Sequence, residues 1–251
     1  MSDVLTAPQA KEAAMTTDMR LITALDLPST AEARALVDRL GDAVGFYKIG
    51  LQLLAGDGMA LARQLKGDGR RIFLDWKLHD IGATVEKATA AIAATEACDF
   101  LTVHGEPQVM AAAVKGRGSS PIRLLAVTVL TSLDDADLKA MGYALGAAAL
   151  VERRVRQAVE AGCDGVISSP HEAALARRIG GPDFLVITPG VRPAGAALDD
   201  QARAASPAQA LNAGASHLVV GRPITAAPDP RAAALAIARE IADIRPGHLA
   251  F

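Results

Sequence analysis

Short apolar runs of strand length alternate eight times with stretches of helical period, a rhythm that few folds accommodate. The runs lie at 21–25, 45–49, 72–74, 100–103, 122–129, 165–168, 184–188 and 217–220. Between them, apolar residues recur at helical spacing over 30–40, 58–65, 85–97, 107–114, 147–161, 171–179, 206–213 and 229–242, and Ser29 is placed to cap the first of these helices. Eight β-α units in 251 residues, 51% of them hydrophobic, predict an α/β fold: a single-domain (β/α)8 TIM barrel over 21–251, following a frayed N-terminal extension at 1–20. An open doubly wound sheet is the lesser alternative. No Gly-x-Gly-x-x-Gly opens a helix after the first strand, which counts against its dinucleotide-binding form.

The charge balance narrows the partners. Lys and Arg number 26 against 28 Asp and Glu, a net charge of −2, and no basic block interleaves with aromatics, so a small ligand is expected rather than nucleic acid. The Ala-rich stretches are broken by charges at helical spacing and read as surface helices, not membrane spans. Lys11, Glu12, Asp18 and Arg20 leave the first twenty residues without the apolar centre of a secretory signal, which points to a cytoplasmic protein. The two cysteines, Cys98 and Cys163, lack metal-ligand spacing and are expected to be buried free thiols.

The third apolar run leads into Asp75, Lys77 and Asp80. Side chains alternate faces along a strand, so Asp75 and Lys77 share one face while Trp76 takes the other. A solvated ion pair at a strand end is the plainer account of any Asp-x-Lys. In a barrel, however, the C-terminal strand ends converge on one site, and these ends offer Asp26, Lys48, Asp75 with Lys77, His104, Thr128 to Ser132, Ser168-Ser169, Thr188 to Pro193 and Val220 to Ile224. The seventh and eighth ends carry Gly190 and Arg192, then Gly221 and Arg222. Either glycine alone is turn chemistry and either arginine alone a surface charge. Together, where barrels bind phosphate, they read as an anion cradle for a phosphorylated substrate.

Asp75-Trp-Lys-Leu-His-Asp-Ile-Gly-Ala-Thr84, with Ala24-Leu-Asp26, Lys48, Thr188-Pro-Gly-Val-Arg-Pro193, Asp200-Gln201 and Val220-Gly-Arg-Pro-Ile-Thr225, resembles the orotidine 5'-phosphate decarboxylase family from about Leu21 to Asp229. The resemblance implies decarboxylation of orotidine 5'-phosphate to UMP in de novo pyrimidine biosynthesis, with no cofactor and no metal. It makes Lys77 the donor that protonates the C6 carbanion, with Lys48 and Asp80 holding the charge array and Asp75 against the departing carboxylate. It further implies a homodimer in which Asp80, Ile81 and Thr84 reach the neighbour's site. Asp26 and Lys48 are implied at the ribose, Thr131 and Ser132 at the pyrimidine, and Arg192, Gln201, Gly221 and Arg222 at the phosphate, with Pro189 also binding substrate.

One departure is visible: Gly82-Ala83 stands where the family more often has Pro-Asn, which is expected to loosen that loop while keeping Thr84. Related barrels with Asp-x-Lys-x-x-Asp stabilise an enediolate on Mg2+, but they need a carboxylate on the second strand, where this chain has Lys48. A non-catalytic nucleotide-binding module would have lost Lys77 or one of the aspartates. His79, His104, Trp76 and Cys98 lie near the motifs without a derivable role.

Overall fold

The protein is described by a computed structural model over residues 17–192 and 205–244. Eight parallel strands close in sequence order: β1 (Leu21–Ala24), β2 (Phe46–Gly50), β3 (Arg71–Leu78), β4 (Phe100–His104), β5 (Arg123–Val127), β6 (Gly165–Ile167), β7 (Leu185–Pro189) and β8 (His217–Val220). The pairing of β8 with β1, Leu21 opposite Leu218 and Thr23 opposite Val220, sets aside the open sheet. Outside the barrel run α1 (Thr30–Leu40), α2 (Gly58–Gly67), α3 (Gly82–Ala93), α4 (Pro107–Arg117), α5 (Asp135–Ala140), α6 (Ala147–Ala161), α7 (Ala173–Gly180), α8 (Pro207–Asn212), α9 (Arg222–Thr225) and α10 (Pro230–Ala242). Among the described residues, no helix is long and apolar enough to cross a membrane. Of the extension expected at 1–20, residues 1–16 lie outside the described residues. Arg20, at its end, donates to the Ile241 and Ile244 carbonyls, each at 2.7 Å, and ties the start of β1 to the end of α10.

Capping chemistry sets several helix starts. Ser29 accepts the Glu32 N–H ahead of α1, and Asp229 accepts the Ala232 N–H ahead of α10, where Pro230 takes the first helical position. α5, which sequence periodicity did not foresee, buries only Leu138 and depends on a reciprocal capping box between Asp134 and Asp137. α3 starts at Gly82, three residues before its first buried residue, Val85, because the Ile81 carbonyl accepts the Thr84 and Val85 N–H groups at 3.0 and 3.1 Å. Gly82 and Ala83 are thus first-turn residues of a helix, not loop residues.

Period-two alternation divides the strands into two apolar layers. Ile22, Ala24, Phe46, Phe73, Phe100, Leu125, Ile187 and Val219 fill the barrel, while Leu21, Tyr47, Ile49, Leu74, Leu101 and Val103 pack outward with the helices. The lower barrel is aromatic. Phe46 meets Phe100 edge to face at 5.0 Å, the His217 ring approaches both at 5.9 and 5.3 Å, and the Arg71 guanidinium lies 4.8 and 5.3 Å from the same two Phe rings.

A repeated clasp fixes this end. The residues just before β4, β6 and β8 are Asp99, Asp164 and Ser216, and their side chains accept the N–H of Ile72, Leu124 and Val186 at 2.8, 2.8 and 2.7 Å. Each clasp ties a strand to the one before it, so the register is pinned where backbone donors would otherwise end unpaired. Cys98 and Cys163 precede two of the clasps as buried free thiols. Burial, with the adjacent Asp99 or Asp164 carboxylate, pushes both thiols up to about 12, so neither is a nucleophile at neutral pH.

His217 links this packing to pH. Burial, then the nearby Arg71 charge, push its imidazole down to about 4, against about 6.5 in an unfolded chain. Its folded value lies below the unfolded one, so the stability due to neutral His217 is complete above about pH 6.5 and drains away as the pH falls towards 4. His217→Phe keeps an aromatic ring between Phe46 and Phe100 and removes the proton-binding group. Between about pH 7 and pH 4.5 its urea midpoint should fall less than that of the wild type; equal falls would show that His217 does not contribute to acid lability.

Candidate active site

The C-terminal strand ends open on one cleft of about 570 Å³. Its floor is apolar, made by Phe73, Val127, Ile167 and Val219, and its polar groups stand above that floor. The same alternation that sends Phe46 and Phe73 into the barrel sends Lys48, Asp75 and Lys77 into the cleft, while Leu74 and Trp76 face the helices. Lys48 Nζ donates to Asp26 Oδ1 at 2.9 Å and lies 3.5 Å from Asp75 Oδ2; Lys77 Nζ donates to Asp75 Oδ1 at 2.9 Å. Asp26, Lys48, Asp75 and Lys77 therefore form a line of alternating charge across three adjacent strands.

Burial makes this line costly to break. Lys48 is only 7% exposed, and a buried charge is tolerated when it is paired. For Asp75, burial alone would raise the pKa. The Lys48 and Lys77 charges and hydrogen bonds from Lys77 and Thr102 outweigh it and hold the carboxyl below its ordinary value, so Asp75 is ionised at neutral pH. Gly50 makes the arrangement sterically possible: a Cβ there would stand 2.7 Å from Asp26 Oδ1 and 2.9 Å from Lys48 Nζ.

β3 is not regular where it carries the pair. Leu74 lies opposite Leu101 and Leu78 opposite Val103, so β3 uses four residue steps while β4 uses two. Within this irregularity Lys77 has a φ of 48°, the left-handed region, which is unfavourable by roughly 1–2 kcal/mol for a residue with a Cβ. Its N–H donates to Thr102 Oγ1 on β4 at 3.0 Å, and Thr102 Oγ1 donates to Asp75 Oδ1 at 3.0 Å.

The other side of the cleft comes from β5, β7 and β8. Thr131, Pro189, Arg192, Gly221 and Arg222 all line it. Gly190, with a φ of 77°, makes the turn after β7 in a conformation suited to glycine. Arg192 follows, buried, with its N–H donating to the Ala205 carbonyl at 2.9 Å. Behind the β5 loop, Arg154 of α6 donates to the Thr128 carbonyl, to Glu106 Oε1 at 2.9 Å and to the Tyr143 hydroxyl at 3.2 Å. That brace spans loops far apart in sequence, and no local pattern announces it.

Four expected site residues do not line the cleft of a single chain. Ser132 is exposed, and so are Asp80, Ile81 and Thr84, with Ile81 69% exposed. Gln201 lies outside the described residues. His104 stacks on His79 with ring centroids 4.6 Å apart, and Glu106 Oε2 is 3.8 and 3.6 Å from the two rings. Burial pushes the His104 imidazole down, only partly offset by Glu106. Sequence reasoning missed Gln52, which lines the cleft, and Thr102, which supports it from behind. The signal for Thr102 was present: it lies two residues from interior Phe100, on the inward side of a strand.

The chain is similar to known proteins over most of its length. The model of the family described as "Orotidine 5'-phosphate decarboxylase / HUMPS family" matches residues 19–237. The orotidine 5'-phosphate decarboxylase of Caulobacter sp. (strain K31) is 70% identical over 230 residues, covering 92% of this chain and 100% of that protein. That of Rhodopseudomonas palustris (strain ATCC BAA-98 / CGA009) is 58% identical over 226 residues, covering 90% and 95%. The crystal structure of orotidine 5'-phosphate decarboxylase from Lactobacillus acidophilus superimposes with a TM-score of 0.78 at 38% identity, covering 89% of this chain and 99% of that one.

Proposed function

The chain belongs to the orotidine 5'-phosphate decarboxylase / HUMPS family, and from that premise we propose that it decarboxylates orotidine 5'-phosphate to UMP without a metal ion, with Lys77 as the proton donor. The observation that carries this reading is the charge line from Asp26 through Lys48 and Asp75 to Lys77 over an apolar floor.

Breaking the bond from C6 to the carboxylate releases CO2 and leaves its electron pair in an in-plane orbital at C6, where the ring π system cannot delocalise it. Stabilisation then falls to fixed charge and a proton donor close by. The Lys77 ammonium supplies both: it is a cation beside the developing carbanion, and it transfers one proton to C6, to be replaced from solvent. Asp75, ionised and hydrogen-bonded to Lys77 at 2.9 Å, directs that ammonium, and its negative charge disfavours the substrate carboxylate more than neutral CO2. Lys48 lies between Asp26 and Asp75, where its charge opposes a divalent cation. Asp26 and Lys48 are assigned to the ribose, Thr131 and Ser132 to the pyrimidine, and Arg192, Gln201, Gly221 and Arg222 to the phosphate end, with Pro189 also binding substrate. Phosphate binding energy can then be used to organise the charged groups around the ring.

The reading includes a homodimer with shared sites and a cytoplasmic location. The exposure of Asp80, Ile81 and Thr84 on a single chain supports the first, because each is then available to a neighbouring copy. The two free buried thiols fit the second.

Loss of orotidylate absorbance on adding the purified protein, unchanged in excess EDTA, is the expected result. Persistence of the substrate would exclude the activity, and turnover abolished by EDTA and restored by Mg2+ would return the chain to the metal-assisted branch of its fold. Subunit sharing has its own test, in which Lys77→Ala and Asp80→Ala proteins are mixed under conditions of proven subunit exchange. Random assortment makes about half the dimers mixed, with one of two pockets intact in each, so activity should rise towards about a quarter of wild type. Activity fixed at the level of the separate variants would mean that Asp80 serves its own subunit.

A further inference from the structure

We infer that Thr102 is a positioning residue of the reaction, holding both the carboxylate and the backbone of the Asp75 and Lys77 pair in the geometry that decarboxylation requires. The inference rests on the reading of that pair as the reacting groups.

Thr102 is fully buried on β4, outside the set of residues that line the cleft. Its hydroxyl nevertheless makes two contacts with the charged pair. It accepts the Lys77 N–H at 3.0 Å and donates to Asp75 Oδ1 at 3.0 Å. Each contact answers a local problem. β3 departs from its ladder with β4 between Leu74 and Leu78, so the Lys77 N–H falls out of register with the β4 carbonyls, and the Thr102 oxygen receives it instead. The bond holds Lys77 at a φ of 48°, a conformation that a lysine does not keep without outside support.

The second contact fixes the carboxylate. Asp75 Oδ1 receives both Lys77 Nζ and the Thr102 hydroxyl, while Oδ2 faces Lys48 Nζ. The groups facing Asp75 are thus Lys48 from β2, Lys77 from its own strand and Thr102 from β4. Of the three, only Thr102 is uncharged and carried on a short side chain fixed by a β-branched rotamer. It sets the plane of the carboxylate, and that plane sets the direction of the Lys77 ammonium. A valine has the same shape, fits the same space and makes neither bond.

The test compares kcat and KM for orotidine 5'-phosphate in the wild type, Thr102→Val and Thr102→Ser, alongside thermal melting of each. Thr102→Val should lose at least about tenfold in kcat, since a small misplacement of reacting groups can reach a hundredfold, with KM within about threefold of wild type. Thr102→Ser retains the hydroxyl and should recover kcat to within about threefold of wild type. If the valine protein does not fold, Thr102→Ala carries the same expectation without overfilling the site. An active wild type with an equally active valine or alanine variant overturns the positioning role alone. So does a serine variant as impaired as the valine one, or a loss confined to KM. A wild type that leaves orotidine 5'-phosphate unchanged removes the reading beneath the proposal, and the proposal with it.

Discussion

A partly buried carboxylate between two ammonium groups is the constraint on which the rest of this structure depends. Asp75 accepts Lys77 at 2.9 Å and faces Lys48 at 3.5 Å, and Lys48 in turn holds Asp26 at 2.9 Å. Removing Asp75 would leave the Lys48 and Lys77 charges under-compensated over an apolar floor. A barrel supplies what such a line needs. Adjacent parallel strands bring single residues from distant parts of the chain to one rim, and interior packing of Phe46, Phe73 and Phe100 fixes the strands beneath them. The clasps before β4, β6 and β8 secure the opposite end, leaving the rim free to carry groups chosen for chemistry.

The order of the barrel was legible because burial on two scales leaves a periodic trace. Continuous apolar runs marked the strands, and helical spacing with caps such as Ser29 marked the helices. That Asp75 and Lys77 share a face also followed from strand alternation, and the structure turns that face into the cleft. What was not legible arises from contacts between segments. α5 has a single buried residue, Leu138, and so lacks a periodic face. The left-handed backbone of Lys77 depends on a mismatch between β3 and β4 that neither strand shows alone. Thr102 reads as an ordinary β-branched strand residue until its two hydrogen bonds are seen. Gly50 reads as the end of a strand until the Asp26 and Lys48 side chains are found where its Cβ would be.

Among the described residues of a single chain, the cleft brings together only part of the set that the family pattern implies. Asp80, Ile81 and Thr84 follow the charged pair closely in sequence yet are exposed and do not line the cleft, at the junction where the chain leaves β3 for α3. The motif is contiguous in sequence and divided in space. A glycine at the first position of α3 suits this arrangement less firmly than proline would: Ile81, at φ −58° and ψ 149°, already has the extended backbone that precedes proline.

The central claim is that a fixed ammonium at the end of the charge line both stabilises and protonates the carbanion. Its most direct test is single-turnover decarboxylation of orotidine 5'-phosphate by Lys77→Ala, with circular dichroism and thermal melting to confirm the fold. Lys77 packs in no apolar layer, so the variant should fold as the wild type does, and its rate should fall by about a thousandfold or more through loss of both donor and charge. A folded Lys77→Ala protein that keeps more than about a tenth of the wild-type rate would contradict the account.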